Sequence, residues 1–213
     1  MSEAACSRTP TRAGLPALVL AALALTSGCA TRESLELPEL GAWEDRQALL
    51  GQLDEWAFNG RIGVLAGDDG FSGSLRWMQT GDDFEATVSG PLGIGTVRLE
   101  GDGRRVQLID KDGNRTVLED AERELFLRYG WTIPVRSLRY WALGIPDPAL
   151  PAETELGGDG HLSRITQGGW TVDITRYGEG GGQPMPTRLK AASEQTRVKL
   201  AIHRWSFYDR PDG

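Results

Sequence analysis

The 213-residue chain has only two cysteines and two histidines, and it has no apolar run long enough to cross a bilayer. Each shortage excludes a class of function. The longest uncharged apolar stretch, residues 15–25, has eleven residues, whereas a spanning helix needs roughly 20. His161 and His203 have no neighbours at metal-ligand spacing, so no metal site is expected. Nucleophile elbows, H-E-x-x-H, phosphate-binding loops and G-x-G-x-x-G entering a helix are all missing. Asp and Glu are plentiful, but they alternate with apolar residues or cluster in turns, as on a solvated face. No catalytic residue, no cofactor and no enzymatic activity are expected. Positive charge is also in deficit, with 23 Lys and Arg against 30 Asp and Glu, a net charge of −7. That balance argues against nucleic acid as a partner and against flat electrostatic docking on anionic lipid.

What is present begins with a leader. Arg8 and Arg12 precede the apolar run, and "LTSGCA" follows it. A basic segment, a short apolar segment and small residues before a cut describe an export signal. The cut ends in cysteine, and "LTSGC" resembles the lipobox of bacterial lipoproteins, with Thr26 standing where leucine is commonest. The resemblance implies cleavage after Gly28 and acylation of Cys29. Plain secretion with an incidental cysteine is the alternative. Cys6 leaves with the leader, so Cys29 has no disulfide partner and reads as an anchor. Ala30 follows it, where Asp would imply retention in the inner membrane, so the address is the outer membrane. The expected organisation is a signal peptide over 1–28, an acylated cysteine and tether over 29–42, and a domain over 43–213. Losing Arg8, Arg12 and Glu3 with the leader takes the net charge from −7 to −8.

In the body, Trp43, Leu49, Leu50 and Leu53 have helical spacing, which predicts a helix over 43–56. The period then becomes two. Phe71, Gly73, Leu75 and Trp77 share one face, followed by Phe84, Ala86 and Val88, Val97 and Leu99, and Val106 and Leu108. Tight turns such as "DKDGN" make these an antiparallel meander with one apolar face. Helices are predicted over 119–130, with Asp120 as cap, Leu125, Phe126 and Tyr129 as apolar face and Gly130 as stop, and over 134–144, ending at Gly144. Residues 145–160 read as a Pro/Gly-rich loop and 178–184 as a flexible connector. Four further strands close the chain, with Trp170, Val172 and Ile174 alternating, then Val198, Leu200 and Ile202. His203 reads as an exposed strand residue. The fold class is mainly β with a few helices. About ten strands with one greasy face tend to curl, giving an open antiparallel half-barrel with a helical lid over a hydrophobic cavity. Alternation and helical phase turn Trp77, Trp141 and Trp170 inward, with Leu75, Val88, Leu99, Leu138 and Leu200 as partial lining. Most of the seven tryptophans are expected in the core.

Several segments then carry a resemblance. "FNGRIGV", "VSGPLGIGTVRLEG", "YGWTIPVRSLRYWALGIP", "LSRITQGGWTVDITRY" and "RVKLAIHRW", in this order behind a lipobox, resemble the LolB family of outer-membrane lipoproteins. The match runs from about Trp43 to Trp205. It implies a half-barrel that holds the acyl chains of lipoproteins, takes them from the periplasmic carrier LolA and inserts them into the inner leaflet of the outer membrane. Implied partners are LolA, acylated cargo and outer-membrane phospholipid, for a monomer facing the periplasm. The "SGPLGIGT" stretch has a bare leucine at a hairpin tip. From the residues alone, Leu92 either projects from the turn or folds back over the barrel rim. The resemblance implies that Pro91, Leu92, Gly93 and Ile94 form a membrane-insertion loop. A rival class is an anchored β-domain that binds an envelope protein or glycan and carries no lipid cargo.

Overall fold

Alternation of apolar and polar residues produces one antiparallel sheet, and its strand order decides everything placed over it. The computed structural model describes residues 34–90, 95–102, 105–130 and 132–209. Helix α1 (Trp43–Gly51) is followed by β1 (Glu55–Ala66), β2 (Asp69–Thr80), β3 (Asp83–Ser89), β4 (Val97–Gly101), β5 (Val106–Ile109) and β6 (Arg115–Leu118). Helices α2 (Ala121–Tyr129) and α3 (Val135–Leu143) come next. The chain ends with β7 (Ala152–Leu156), β8 (Leu162–Gln167), β9 (Trp170–Gly180), β10 (Gln183–Ala192) and β11 (Thr196–Tyr208). The sheet order is β6-β5-β4-β3-β2-β1-β11-β10-β9-β8-β7.

Each half of this sheet is a simple meander. The halves meet where β1 pairs with β11, and the two edges, β6 and β7, are consecutive strands in the chain. The sheet does not close, because β6 and β7 are not paired. The segment between them must therefore pass from one edge to the other, and it is this segment that contains α2 and α3. Alternation holds along the strands. In β2, Gly73, Leu75, Trp77 and Gln79 are buried and Ser72, Ser74, Arg76 and Met78 exposed. In β11, Val198, Leu200 and Ile202 are buried, and His203 is exposed as expected.

The β1–β11 ladder contains one irregularity. Asn59 pairs with Arg204 but Gly60 pairs with Ile202, which leaves His203 as an extra residue on β11. An extra residue shifts the inward phase of a strand. Accordingly Trp205 and Phe207 turn inward beyond it. At Gly60 the two backbones come so close that an added Cβ would lie 2.3 Å from the Ala201 carbonyl oxygen.

The predicted helices over 119–130 and 134–144 form. The Asp120 carboxylate accepts from the Arg123 N–H at 3.1 Å, and Gly130 and Gly144 both adopt the left-handed cap conformation. Four expectations require correction. The first helix stops at Gly51 instead of 56, because Trp56 is worth more in the ladder: its ring stacks on Trp77 at 6.4 Å and 8°. Among the described side chains of α2 only Leu125 is buried, Phe126 is exposed, and the Tyr129 side chain lies outside the described residues. The loop over 145–160 contains a strand, β7, exposed along its whole length. The connector over 178–184 is strand apart from the turn at 181–182. Its glycines serve close packing: a Cβ on Gly180 would lie 2.9 Å from the Trp205 ring.

If the join at Gly60 holds the halves together, Gly60→Val should destabilise the fold by about 3 kcal/mol, the upper end of overpacking costs. Urea unfolding followed by tryptophan fluorescence reads this directly. A midpoint within error of wild type would show that the close approach carries no strain when filled.

Candidate functional site

The inner face of the sheet divides into two aromatic groups. In the first, Trp77 lies against Phe84 at 4.9 Å and Phe58 at 6.2 Å. Trp205 meets Phe58 at 5.2 Å, Trp56 at 5.8 Å and Phe207 at 5.9 Å. The Trp77 indole N–H donates to Gln79 Oε1 at 3.1 Å, and the Gln79 amide in turn donates to the carbonyls of Gly81 and Asp83, each at 2.9 Å. Buried Trp N–H groups need such partners. In the second group, Trp141 of α3 meets Trp170 of β9 at 6.1 Å.

The expected cavity residues share this interior. Leu75, Trp77, Trp170 and Leu200 are buried on the sheet, and Leu138 and Trp141 are buried on α3. Val88 and Leu99 are half-buried and pack against the same core. Cross-strand register places Leu75 opposite Val88 and Trp77 opposite Ala86, with Leu99 next along the same row. Leu200 lies two strands away, opposite Ile62. Among the described residues these side chains belong to, or pack against, one buried apolar cluster. The opening beside α3 measures about 220 Å³ and is lined by Asp82, Asp102, Arg136 and Arg139 beside Phe84 and Tyr140. That is smaller than ordinary ligand pockets of roughly 300–1,000 Å³, and its charged wall suits no acyl chain. Cys29 and the loop Pro91, Leu92, Gly93 and Ile94 lie outside the described residues. The hairpin that carries the loop is closed below it by Ser89 Oγ and Thr96 Oγ1, 3.1 Å apart.

Helix α3 covers the interior and is tied to both halves of the sheet. Arg139 reaches Asp82 in the β2–β3 turn at 3.4 Å, an exposed contact of little energetic value. The other tie is buried and centres on Gln167, the last residue of β8. Its Oε1 accepts from the Trp141 indole at 3.0 Å and from the Asp147 backbone at 2.9 Å. Its Nε2 donates to the Asp147 carbonyl at 2.8 Å and the Leu150 carbonyl at 2.9 Å. One side chain thus uses four bonds to hold the end of α3 and the segment after it. Ser137 Oγ donates to the Asp147 carboxylate at 2.8 Å and completes the network. On the far side, Tyr177 donates to the Leu162 carbonyl at 2.8 Å, and burial pushes its phenol pKa upward, so the proton stays in that bond.

Sequence reasoning did not single out Gln167, because a glutamine at a strand end carries no pattern. It also missed Arg46, which is buried and donates to Gln183 Oε1 and the Pro184 carbonyl, with no hydrogen-bond partner at Nε. Burial lowers its pKa from the ordinary value. Trp205 and Phe207 had a visible signal, since both are large aromatics in a β run, but the extra residue at 203 breaks the alternation that would have pointed them inward.

Replacing Gln167 with Leu would strand the Trp141 and Asp147 N–H groups. At about 1–3 kcal/mol for each buried unsatisfied group, the expected loss of stability from these two is about 2–6 kcal/mol. If the network is what holds α3 down, binding of a hydrophobic fluorescent probe should rise well below the melting temperature, with helical circular dichroism unchanged. Unaltered probe binding would show that apolar packing alone holds the cover.

Comparison with known proteins agrees with this architecture. The chain matches the family model described as outer membrane lipoprotein LolB over residues 54–205. It is 36% identical over 192 residues to the outer-membrane lipoprotein LolB of Pseudomonas paraeruginosa, covering 88% of this chain and 94% of that one. It is 34% identical over 191 residues to the protein of the same name from Nitrosococcus oceani, covering 88% and 95%. Among solved structures, a LolA superfamily protein from Nitrosomonas europaea superposes with a TM-score of 0.51 at 10% identity, covering 79% of this chain and 91% of that one. At that identity the likeness concerns the fold alone. The half-barrel, its helical cover and the sequence match over 54–205 lead to one conclusion: the chain belongs to the LolB family of outer membrane lipoproteins.

Proposed function

We propose that this protein is anchored through Cys29, faces the periplasm, receives acylated lipoproteins from a LolA carrier and inserts them into the inner leaflet of the outer membrane. The observation that carries the reading is the family match across the whole sheet and its helical cover. The physics supports it. A lipoprotein with three acyl chains exposes on the order of 10 kcal/mol of hydrophobic free energy per chain in water. Cargo of this kind must pass from one enclosed apolar site to another. Such a site needs an apolar lining and a cover, and it needs no catalytic group.

Because Leu138 and Trp141 of α3 share one buried cluster with the sheet residues, acceptance requires the cover to move. Lifting α3 takes Leu138 and Trp141 off Trp170 and the sheet, and the vacated volume is lined by Leu75, Trp77, Val88, Leu99 and Leu200. Acyl chains then replace contacts that the protein makes with itself when empty. The exchange of like for like keeps the net affinity moderate, which suits an acceptor that must also release.

Incubating the protein with a loaded carrier should move labelled lipoprotein onto it, with no nucleotide added. Retention of all cargo on the carrier would overturn the reading in favour of a β-domain without lipid cargo. Mass spectrometry of the membrane-extracted protein should show a mature N-terminus at Cys29, heavier by its lipid. A free thiol with the leader attached would remove the anchor from the proposal.

Leu92 separates the two halves of the activity. A glutamate there places an unfavourable charge at membrane depth, at a cost below the roughly 2–4 kcal/mol of a lysine or arginine at the bilayer midplane and smaller still near the surface. As a hairpin-tip change, it should alter stability by no more than about 0.5 kcal/mol. Leu92→Glu should therefore accept lipoprotein as well as wild type and fail to release it into liposomes. If the melting temperature falls and acceptance and release decline together, Leu92 is a packing residue of the rim.

A further inference from the structure

The sheet has a notch, and the chain's own N-terminal segment fills it. Paired β10 and β11 run from Arg188 opposite Ala201 to Ala192 opposite Arg197. Nearer the other end of the sheet they part. Pro184 and Pro186 lie on this stretch of β10, and neither has an N–H to offer a neighbouring strand. Trp205 bridges the gap with its indole N–H on the Pro186 carbonyl at 3.0 Å. Residues 34–38 lie in the remaining space.

The seating is made mostly through backbone. The Leu35 N–H donates to the Phe207 carbonyl at 2.8 Å and the Leu37 N–H to the Gly181 carbonyl at 2.6 Å. The Phe207 N–H donates to Ser34 Oγ at 3.2 Å, and Gln183 Nε2 donates to the Pro38 carbonyl. Leu35 and Leu37 are half-buried against the core, while Ser34, Glu36 and Pro38 are exposed. The period is that of a strand. The floor is shaped to match, since a Cβ on Gly181 would lie 2.5 Å from the Phe207 ring and one on Gly182 would lie 2.5 Å from the Leu37 carbonyl oxygen. Residues 34–38 lie alongside the sheet without forming one of its strands, with one backbone bond to β11 and one to the β9–β10 turn; as in strand addition, main-chain bonds supply affinity and alternate side chains need only be apolar.

The geometry points to this notch as a binding site for the extended segment that follows the acylated cysteine of a lipoprotein, occupied in the empty protein by its own copy of that segment. The inference rests on the proposed function and adds a peptide subsite to it. Leu35 follows Cys29 by six residues, a reach of about 20 Å at most. A cargo segment seated in the same register would hold its acyl chains within that distance of Phe207 and Trp205, at the edge of the first aromatic group. Backbone recognition suits cargoes that share acyl chemistry and differ in sequence. Loading then displaces residues 34–38, so the empty and loaded proteins differ in how their own anchor segment is held.

The test uses the full mature chain. Leu35→Pro with Leu37→Pro removes both N–H donors and empties the notch. Leu35→Asp with Leu37→Asp keeps the donors and removes the apolar contacts, as an independent variant should the first fail to fold. The probes are a fluorescent peptide of residues 31–40, the same peptide with proline in place of Leu35 and Leu37, and a diacylated-cysteine lipopeptide with each of these tails. The unaltered peptide should bind either folded variant at least about tenfold more tightly than it binds wild type, and the proline peptide should bind none of them. The lipopeptide with the unaltered tail should outcompete the one with the proline tail. Failure of the peptide to bind a folded variant, or equal binding of the proline peptide, overturns the site. Peptide binding without any difference between the two lipopeptides overturns the cargo assignment and leaves a self-binding strap. Peptide binding can be measured whether or not carrier-dependent transfer occurs, so failure of the site and failure of the transfer function are told apart.

Discussion

The pairing of β1 with β11 is the constraint on which the rest of the structure depends. It joins the first strand of one meander to the last strand of the other, over twelve paired positions with a single extra residue. Once those two strands are central, β6 and β7 must be the edges, although they are neighbours in the chain. Residues 119–151 are then obliged to run between the two edges of an unclosed sheet. Helices α2 and α3 form the cover because of where the strands before and after them end. A chain with the same helices but a different central pair would have its cover elsewhere.

The interior brings together apolar packing and a few directional bonds at its margins. Apolar surface has no preference between a neighbouring side chain and an acyl chain, so packing alone cannot distinguish closed from loaded. Directional bonds can. The four bonds of Gln167 tie the end of α3 to β8, and the bonds of residues 34–38 tie the N-terminal segment into the notch. In a low-dielectric setting such networks are held or lost together. A few polar contacts thus lie at the margins of the apolar interior.

Much of the fold was legible in the sequence because periodicity acts locally. The alternation through Leu75 and Trp77, the Asp120 cap and the glycine stops at 130 and 144 each express the geometry of one element. The inward positions of Leu75, Trp77, Trp170 and Leu200 follow from the same alternation, and that of Trp141 from helical phase. What escaped depended on distant residues. Trp56 has helical spacing from its predecessors and nevertheless joins β1, since its ring finds Trp77, Phe58 and Trp205 only after β1, β2 and β11 have paired. Trp205 and Phe207 lie beyond the extra residue at 203, where alternation no longer indicates direction.

By itself, the sequence determined helices α2 and α3, the alternating apolar face of strands such as β2 and β9, and the family to which the chain belongs. These are properties of residue type and spacing, readable without knowing which strand lies beside which. Only the tertiary structure decided that β1 and β11 are central, that Gln167 bonds to Trp141, Asp147 and Leu150, and that residues 34–38 lie beside the strands carrying Phe207 and Pro184. The reason is physical: a hydrogen bond or a steric notch belongs to a pair of groups, and residues such as Leu35 and Phe207 become a pair only when the fold brings them together.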